Sequence, residues 1–333
     1  MLQQNRDLDY VYLSTRVQAM ERGLLTRERM ERMLDAPTLD AAAKVLTECG
    51  YPDLPRVTPD AVEEILEQCR GRLMADLEGE MPQPEVLAVF QLQNDYHNAK
   101  VLVKAEALGG DWDRLLLRGG RYDPRQLAED YRREDLSAYG ESFCRGIARA
   151  REVLGATGDP QQADFALDRA CFEDLTRTAR DSGSEFLQGY AVLLIDAANL
   201  RAAVRASRLG KGADFLLQAL VEGGNVPVSA LAGARGEALA ALFRGGWLAQ
   251  AAAAGAAVSA PGSGPLTEFE RLCDDAVTDY VREGHLIPFG LEPVAGYVYA
   301  RQAEATAIRT ILSGRMAGLE ADTIRQRLRR TYC

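Results

Sequence analysis

The sequence predicts an all-α protein. Two observations carry that reading: apolar residues recur every three to four positions through nearly the whole chain, and alternating strand patterns are scarce. A third supports it, because helix-start and helix-stop residues bracket the periodic runs. About 14 to 17 helices with short joins fit the 333 residues.

Three stripes show the period most clearly. Tyr10, Leu13, Val17, Met20 and Leu24 mark the first, and Val89, Leu92, Tyr96, Ala99 and Val103 the second. Phe186, Tyr190, Leu193, Ala197, Leu200 and Val204 mark the third. Thr58 before Pro59 and Asp60 reads as an N-cap, since a hydroxyl accepts an orphan amide and proline suits the first helical position. Ser184 opens the third stripe in the same way. Gly23, Gly50, Gly109 and Gly210 follow helical runs, where a left-handed C-cap favours glycine. The stretch Ala249–Pro265 reads as the end of an alanine-rich helix followed by a Gly/Pro/Ser turn.

One internal repeat organises the chain. Asp95, Asn98, Lys100, Lys104 and Gly109 recur 101 residues later as Asp196, Asn199, Arg201, Arg205 and Gly210. Each copy ends in Leu-Gly and is followed by a Gly-Gly pair, Gly119-Gly120 and Gly223-Gly224. A degenerate third copy lies 108 residues further on: Glu304, Arg309 and Gly318 match, while Ala307 and Ser313 replace the amide and the second base. So long a period predicts three related helical domains, 1–120, 121–230 and 231–333, with the N- and C-terminal elements free to pack together. Asp and Asn at i, i+3 share one helix face, and the two bases, four apart, share another. In the plain structural reading, Asp and Asn bond a neighbouring loop backbone and the glycines only cap. The paired bases imply an acidic surface opposite them, in this chain or in a partner.

Composition closes off several functions. The net charge is −10, which argues against a dominant nucleic-acid surface. Two histidines, His97 and His285, leave no material for a His-rich metal site. The six scattered cysteines form no CxxC pair and fit a reducing compartment. The polar N-terminus does not read as a signal peptide, and the most apolar stretch, 247–260, is too short to span a bilayer. No GxxxxGK[ST] or GxSxG run occurs. Asp274, Asp275 and Asp279 resemble half of the Mg²⁺-diphosphate motif of helical isoprenoid synthases, but no second acidic motif accompanies them, and a solvated helix face is the plainer reading. His97 reads as a packed or capping residue and His285 as a helix-end residue favoured by the dipole. Trp112 and Trp247, each near a glycine, read as core anchors of helix starts. Residues 315–333 carry five arginines against Glu320 and Asp322, a basic end read as solvated helix with anionic lipid as the alternative.

The segment from Tyr10 to Tyr51 resembles the opening of the C subunit of V-type (archaeal and bacterial A/V-type) ATP synthases, the counterpart of the d subunit of the vacuolar proton pump. Tyr10, Arg16, Val17, Met20, Leu24, Leu25, Leu46, Gly50 and Tyr51 carry the likeness. Asp95–Lys104 and Ile195–Gly210 resemble the family's Asp-x-x-Asn-x-Lys/Arg elements. Pro288-Phe289-Gly290, Glu292-Pro293, Tyr297, Glu304, Ile308-Arg309, Arg325 and Leu328 resemble its C-terminal signature. Residues 130–180 and 235–265 match only in helical character.

The resemblance implies three similar helical domains around a pseudo-threefold axis, forming a funnel. It implies a non-catalytic protein without cofactor or metal, seated on the cytoplasmic face of the membrane proteolipid ring. The central stalk, made of the D and F subunits, plugs into it, so that it transmits torque during ATP-driven ion transport or ATP synthesis. Within that frame Lys100, Lys104, Arg201, Arg205 and Arg309 are candidate partner-facing residues, and rim charges of this kind steer docking and fix register. The competing readings are a helical Mg²⁺-dependent isoprenoid-type enzyme and a generic helical scaffold.

Overall fold

The computed structural model describes residues 8–110 and 112–333. Among them the fold is helical throughout, with sixteen α-helices, five 3₁₀ segments and no strand. The helices are α1 Val11–Met20, α2 Arg27–Asp35, α3 Leu39–Lys44 and α4 Pro59–Glu80, then α5 Leu92–Leu108, α6 Pro124–Arg132, α7 Glu141–Thr157 and α8 Pro160–Asp181. There follow α9 Glu185–Arg208, α10 Ala213–Ala219, α11 Val228–Gly233, α12 Glu237–Leu242, α13 Ala249–Ala257, α14 Thr267–Glu283, α15 Leu291–Met316 and α16 Ala321–Arg325.

Local chemistry sets the boundaries. Thr26, Thr38, Thr58, Asp123, Asp159 and Ser184 each accept an amide of the first helical turn through the side chain. Three of these caps precede a proline, which has no amide to leave orphaned. At the other ends Gly50, Gly109, Gly210 and Gly318 take φ of +79°, +71°, +64° and +70°. Gly23 differs from the C-cap expectation: it closes a 3₁₀ turn, Glu21–Gly23, and is not among the positive-φ glycines. The alanine-rich segment holds a whole helix, Ala249–Ala257, followed by the turn that the sequence indicates.

The chain divides into two compact units. One contains the described residues up to Pro84 together with Arg235–Cys333, and the other Glu85–Ala234. In the first unit both chain ends build one core. Met33, Leu46, Leu66, Ile308, Ile311, Leu312, Ile324 and Leu328 are buried together. Helix α1 is tied to the start of α15, because Ser14 Oγ donates to Gly290 O (3.0 Å) and accepts from Gly290 N (3.1 Å). In the second unit α7 and α8 approach so closely that a Cβ at Gly146 would lie 2.9 Å from that of Ala170. Phe143 is fully buried there, with ring centroids of Tyr96 and Tyr122 each 5.2 Å away. The apolar stripes face these interiors, except that Met20 and Phe186 are only half-buried.

Phe143→Ala removes the ring on which this aromatic group closes. It should lower unfolding free energy by about 3–5 kcal/mol, read as an earlier transition in urea. A transition unchanged within about 1 kcal/mol would contradict the assigned packing.

Candidate functional site

The repeat is a structural device, and its parts can be followed atom by atom. In the first copy α5 presents Asp95 and Asn98, both fully buried, to the loop after it. Asn98 Nδ2 donates to Leu117 O (2.8 Å), and Leu117 N donates to Asn98 Oδ1 (2.7 Å). Asp95 accepts from Tyr122 N (3.4 Å) and from Arg121 Nε (2.6 Å). In the second copy Asn199 of α9 makes the same pair of bonds to Val221, at 2.7 and 2.9 Å. Asp196 accepts from the amides of Asn225 (3.1 Å) and Val226 (3.2 Å). The trailing glycines now have a reason. A Cβ at Gly120 would fall on Asp95 Oδ1, and one at Gly224 on Asp196 Oδ1. Only a residue without a side chain lets the loop come so near the carboxylate.

The third copy is completed from the other end of the chain. Glu304 of α15 accepts from Leu25 N (2.6 Å), 279 residues away in sequence. Leu25 immediately precedes Thr26, the N-cap of α2. Tyr122 and Val226 likewise precede Asp123 and Pro227, the N-cap residues of α6 and α11. In all three copies a buried acid on a long helix therefore fixes the amide of the residue just ahead of the N-cap of a short helix. Glu304 also accepts from the Tyr51 hydroxyl (2.6 Å) and pairs with Arg301 (2.7 Å), whose guanidinium lies 4.7 Å from the centroid of the Tyr51 ring. The sequence marks Glu304 through the repeat and Leu25 and Tyr51 through the family resemblance, but not their pairing, because partners so distant in sequence leave no local spacing to read.

Burial pushes the carboxyls of Asp95, Asp196 and Glu304 above their ordinary ranges. Arg121 opposes this at Asp95 and Arg301 at Glu304, whereas hydrogen bonds from Asn225 and Val226 oppose it at Asp196.

The candidate interface bases have partners within the chain. Lys100 pairs with Asp168 (2.5 Å) and Lys104 with Asp164 (3.0 Å), both on α8. Arg309 Nε and Nη2 lie 2.7–2.9 Å from the Glu63 carboxylate, in a bidentate pair. Arg201 and Arg205 are also partnered. Gly109, Gly210 and Gly318 sit at helix ends with positive φ.

The remaining motifs resolve without catalysis. Arg329 holds Asp274 (2.6 Å), Arg330 N donates to Asp275 (2.7 Å), and the Arg330 side chain holds Asp279 (2.6 Å). The three acids thus face the chain's own C-terminus, and among the described residues no group of three or more His, Cys, Asp or Glu is placed to hold a metal ion. The basic end is correspondingly no free solvated helix. Arg315 donates to Met33 O (3.1 Å) and Ala36 O (2.6 Å), capping α2 from outside, and Arg325 pairs with Glu31 (2.9 Å). His97 Nε2 lies 3.0 Å from Leu115 O, and His285 Nδ1 lies 3.2 Å from Glu21 Oε2. Trp247 departs from the core expectation: it is 43% exposed, stacked edge-on against Tyr280. Trp112 is half-buried, its indole donating to Gly109 O (2.9 Å).

With this geometry established, comparison with known proteins is specific. The family model described as ATP synthase (C/AC39) subunit matches residues 13–327. The C subunit of the V-type sodium ATPase of Enterococcus hirae is 22% identical over 327 residues, covering 98% of this chain and 99% of that protein. The C subunit of the V-type ATP synthase of Thermus thermophilus is 26% identical, covering 93% and 95%. The C subunit of the A-type ATP synthase of Haloferax volcanii is 27% identical, covering 80% and 76%.

Two measurements test the repeat. Asn199→Ala orphans the amide and carbonyl of Val221 and should cost about 1–3 kcal/mol in unfolding free energy; a loss under about 0.3 kcal/mol would contradict the assigned role. Asp196 is an acid raised in the fold, so its stabilising contribution is full below its ordinary value of 3.8 and is lost as pH rises through the folded value. The stability of the wild type relative to Asp196→Asn should therefore fall as pH rises above 3.8. A wild type that gains on the variant as pH rises would reverse the sign.

Proposed function

The chain belongs to the ATP synthase (C/AC39) subunit family, whose members are structural and non-catalytic parts of V/A-type rotary ATPases, and from that premise we propose that it joins the central stalk to the membrane proteolipid ring. In this reading the D and F subunits dock on one side, the ring on the other, and the chain carries torque between them on the cytoplasmic face. Among the described residues no helix is long and apolar enough to cross a membrane, which suits attachment through the ring.

The observation that supports the reading best is the family match along nearly the entire chain. The threefold recurrence of the buried carboxylate supports it physically. A part that passes torque must not yield at its helix–loop joints, and each joint here is fixed by hydrogen bonds to a buried side chain. The division into three domains, 1–120, 121–230 and 231–333, belongs to the same proposal, with the N-terminal elements serving the third copy.

The basic positions of the repeat are the proposed docking residues for the stalk. Arg205 is exposed and Arg201 half-buried on the last turns of α9. Reversing both, Arg201→Glu with Arg205→Glu, should weaken binding to a reconstituted D–F stalk by tenfold or more, about 1.4 kcal/mol. The measurement is titration of the folded variant against the stalk. Wild-type affinity in a variant of unchanged helicity would remove these arginines from the interface.

A further inference from the structure

We propose that residues 329–333, just past the core residue Leu328, are an electrostatically latched strap that can lift from α14 and α15 while Leu328 and the rest of the unit stay folded. Its attachments are of two kinds. The first is a row of charges, Arg329 on Asp274 and Arg330 on Asp279, each at 2.6 Å, with Arg330 N on Asp275. These side chains remain 29–49% exposed, so dissolved salt reaches the pairs and screens them. The acids are the Asp-rich run of the sequence, which the family reading leaves without a role.

The second attachment is the Tyr332 ring. The ring lies over Gly296, where a Cβ would collide with the hydroxyl, and edge-on to His285 at 5.9 Å between centroids. Tyr332 Oη and the facing Glu21 Oε1 are both buried. Beneath the strap lies a recess of about 100 Å³ bordered by Leu24, Met30, Ala303, Ala307 and Glu304. Lifting the tail opens this recess beside the bond from Glu304 to Leu25 N, the element that closes the third copy. The strap therefore governs access to that joint.

The test is carboxypeptidase trimming of the intact full chain, followed by mass, with the isolated tail peptide correcting for salt effects on the protease. Cys333 is exposed and Tyr332 buried, so trimming beyond the first residue reports lifting. Raising salt from about 0.05 M to about 0.5 M should speed that trimming at least fivefold with the helical signal unchanged. Asp274→Asn with Asp279→Asn should give the fast rate already at low salt. The charge swap Asp274→Arg with Arg329→Asp should slow it again. If the wild-type rate ignores salt, or if trimming occurs only where the whole chain unfolds, the tail is a fixed part of the core and the proposal fails. The wild-type salt series decides the matter even where a variant does not fold.

Discussion

Everything in this fold that repeats depends on one interaction: a carboxylate buried on a long helix that accepts a hydrogen bond from the amide of the residue preceding the N-cap of a short helix. The arrangement is expensive in isolation, because a carboxylate taken out of water loses its hydration. The protein offsets that cost with directed N–H donors and, in two copies, with a guanidinium. Asp95 has Arg121, and Glu304 has Arg301 with the Tyr51 hydroxyl. Asp196 is held by the amides of Asn225 and Val226. The invariant part across copies is thus the backbone bond, and the cation is an addition that varies.

The consequence is geometric. Asn98 and Asn199, one turn further along their helices, grip both the amide and the carbonyl of a second loop residue. A loop held at two points some five residues apart loses most of its freedom to pivot. The short helix that follows then starts in a fixed place. The third copy lacks the amide, since Ala307 stands there, and uses Tyr51 instead. Because its loop comes from the N-terminal segment, the first and last thirds of the chain share one core, as Leu46 and Ile65 packed with Ile308 and Ile311 show.

Helical class was legible in the sequence because 3.6-residue stripes run along α1, α5 and α9. The two better-preserved copies were legible because their spacings are identical. The apolar positions Leu13, Tyr96 and Leu200 fell where periodicity puts them. What escaped has a physical cause in each case. The Leu25–Glu304 bond joins residues 279 apart, and no local pattern encodes such a pairing. The arginines at the C-terminus looked like a solvated helix end because composition records charge but not its partners; Arg315, Arg325, Arg329 and Arg330 each meet the chain itself. Trp247 looked like core because large aromatics usually are, yet Tyr280 covers only one side of it.

In-chain pairing of the basic repeat positions bears on how they could serve an interface. Lys100 and Asp168 are 23% and 43% exposed, and Arg309 and Glu63 are 38% and 49% exposed. An ion pair so open to solvent contributes about 0–1 kcal/mol. Exchanging one of these internal acids for an acid of a docking partner therefore costs little, while the partner gains a cation already held in place. Side-chain freedom that would otherwise be lost on docking has been surrendered on folding. In the proposed interface, pairing within the chain and recognition by a partner would be successive uses of the same side chains. The burden of fixing the backbone falls on the buried carboxylates, which no partner needs to reach.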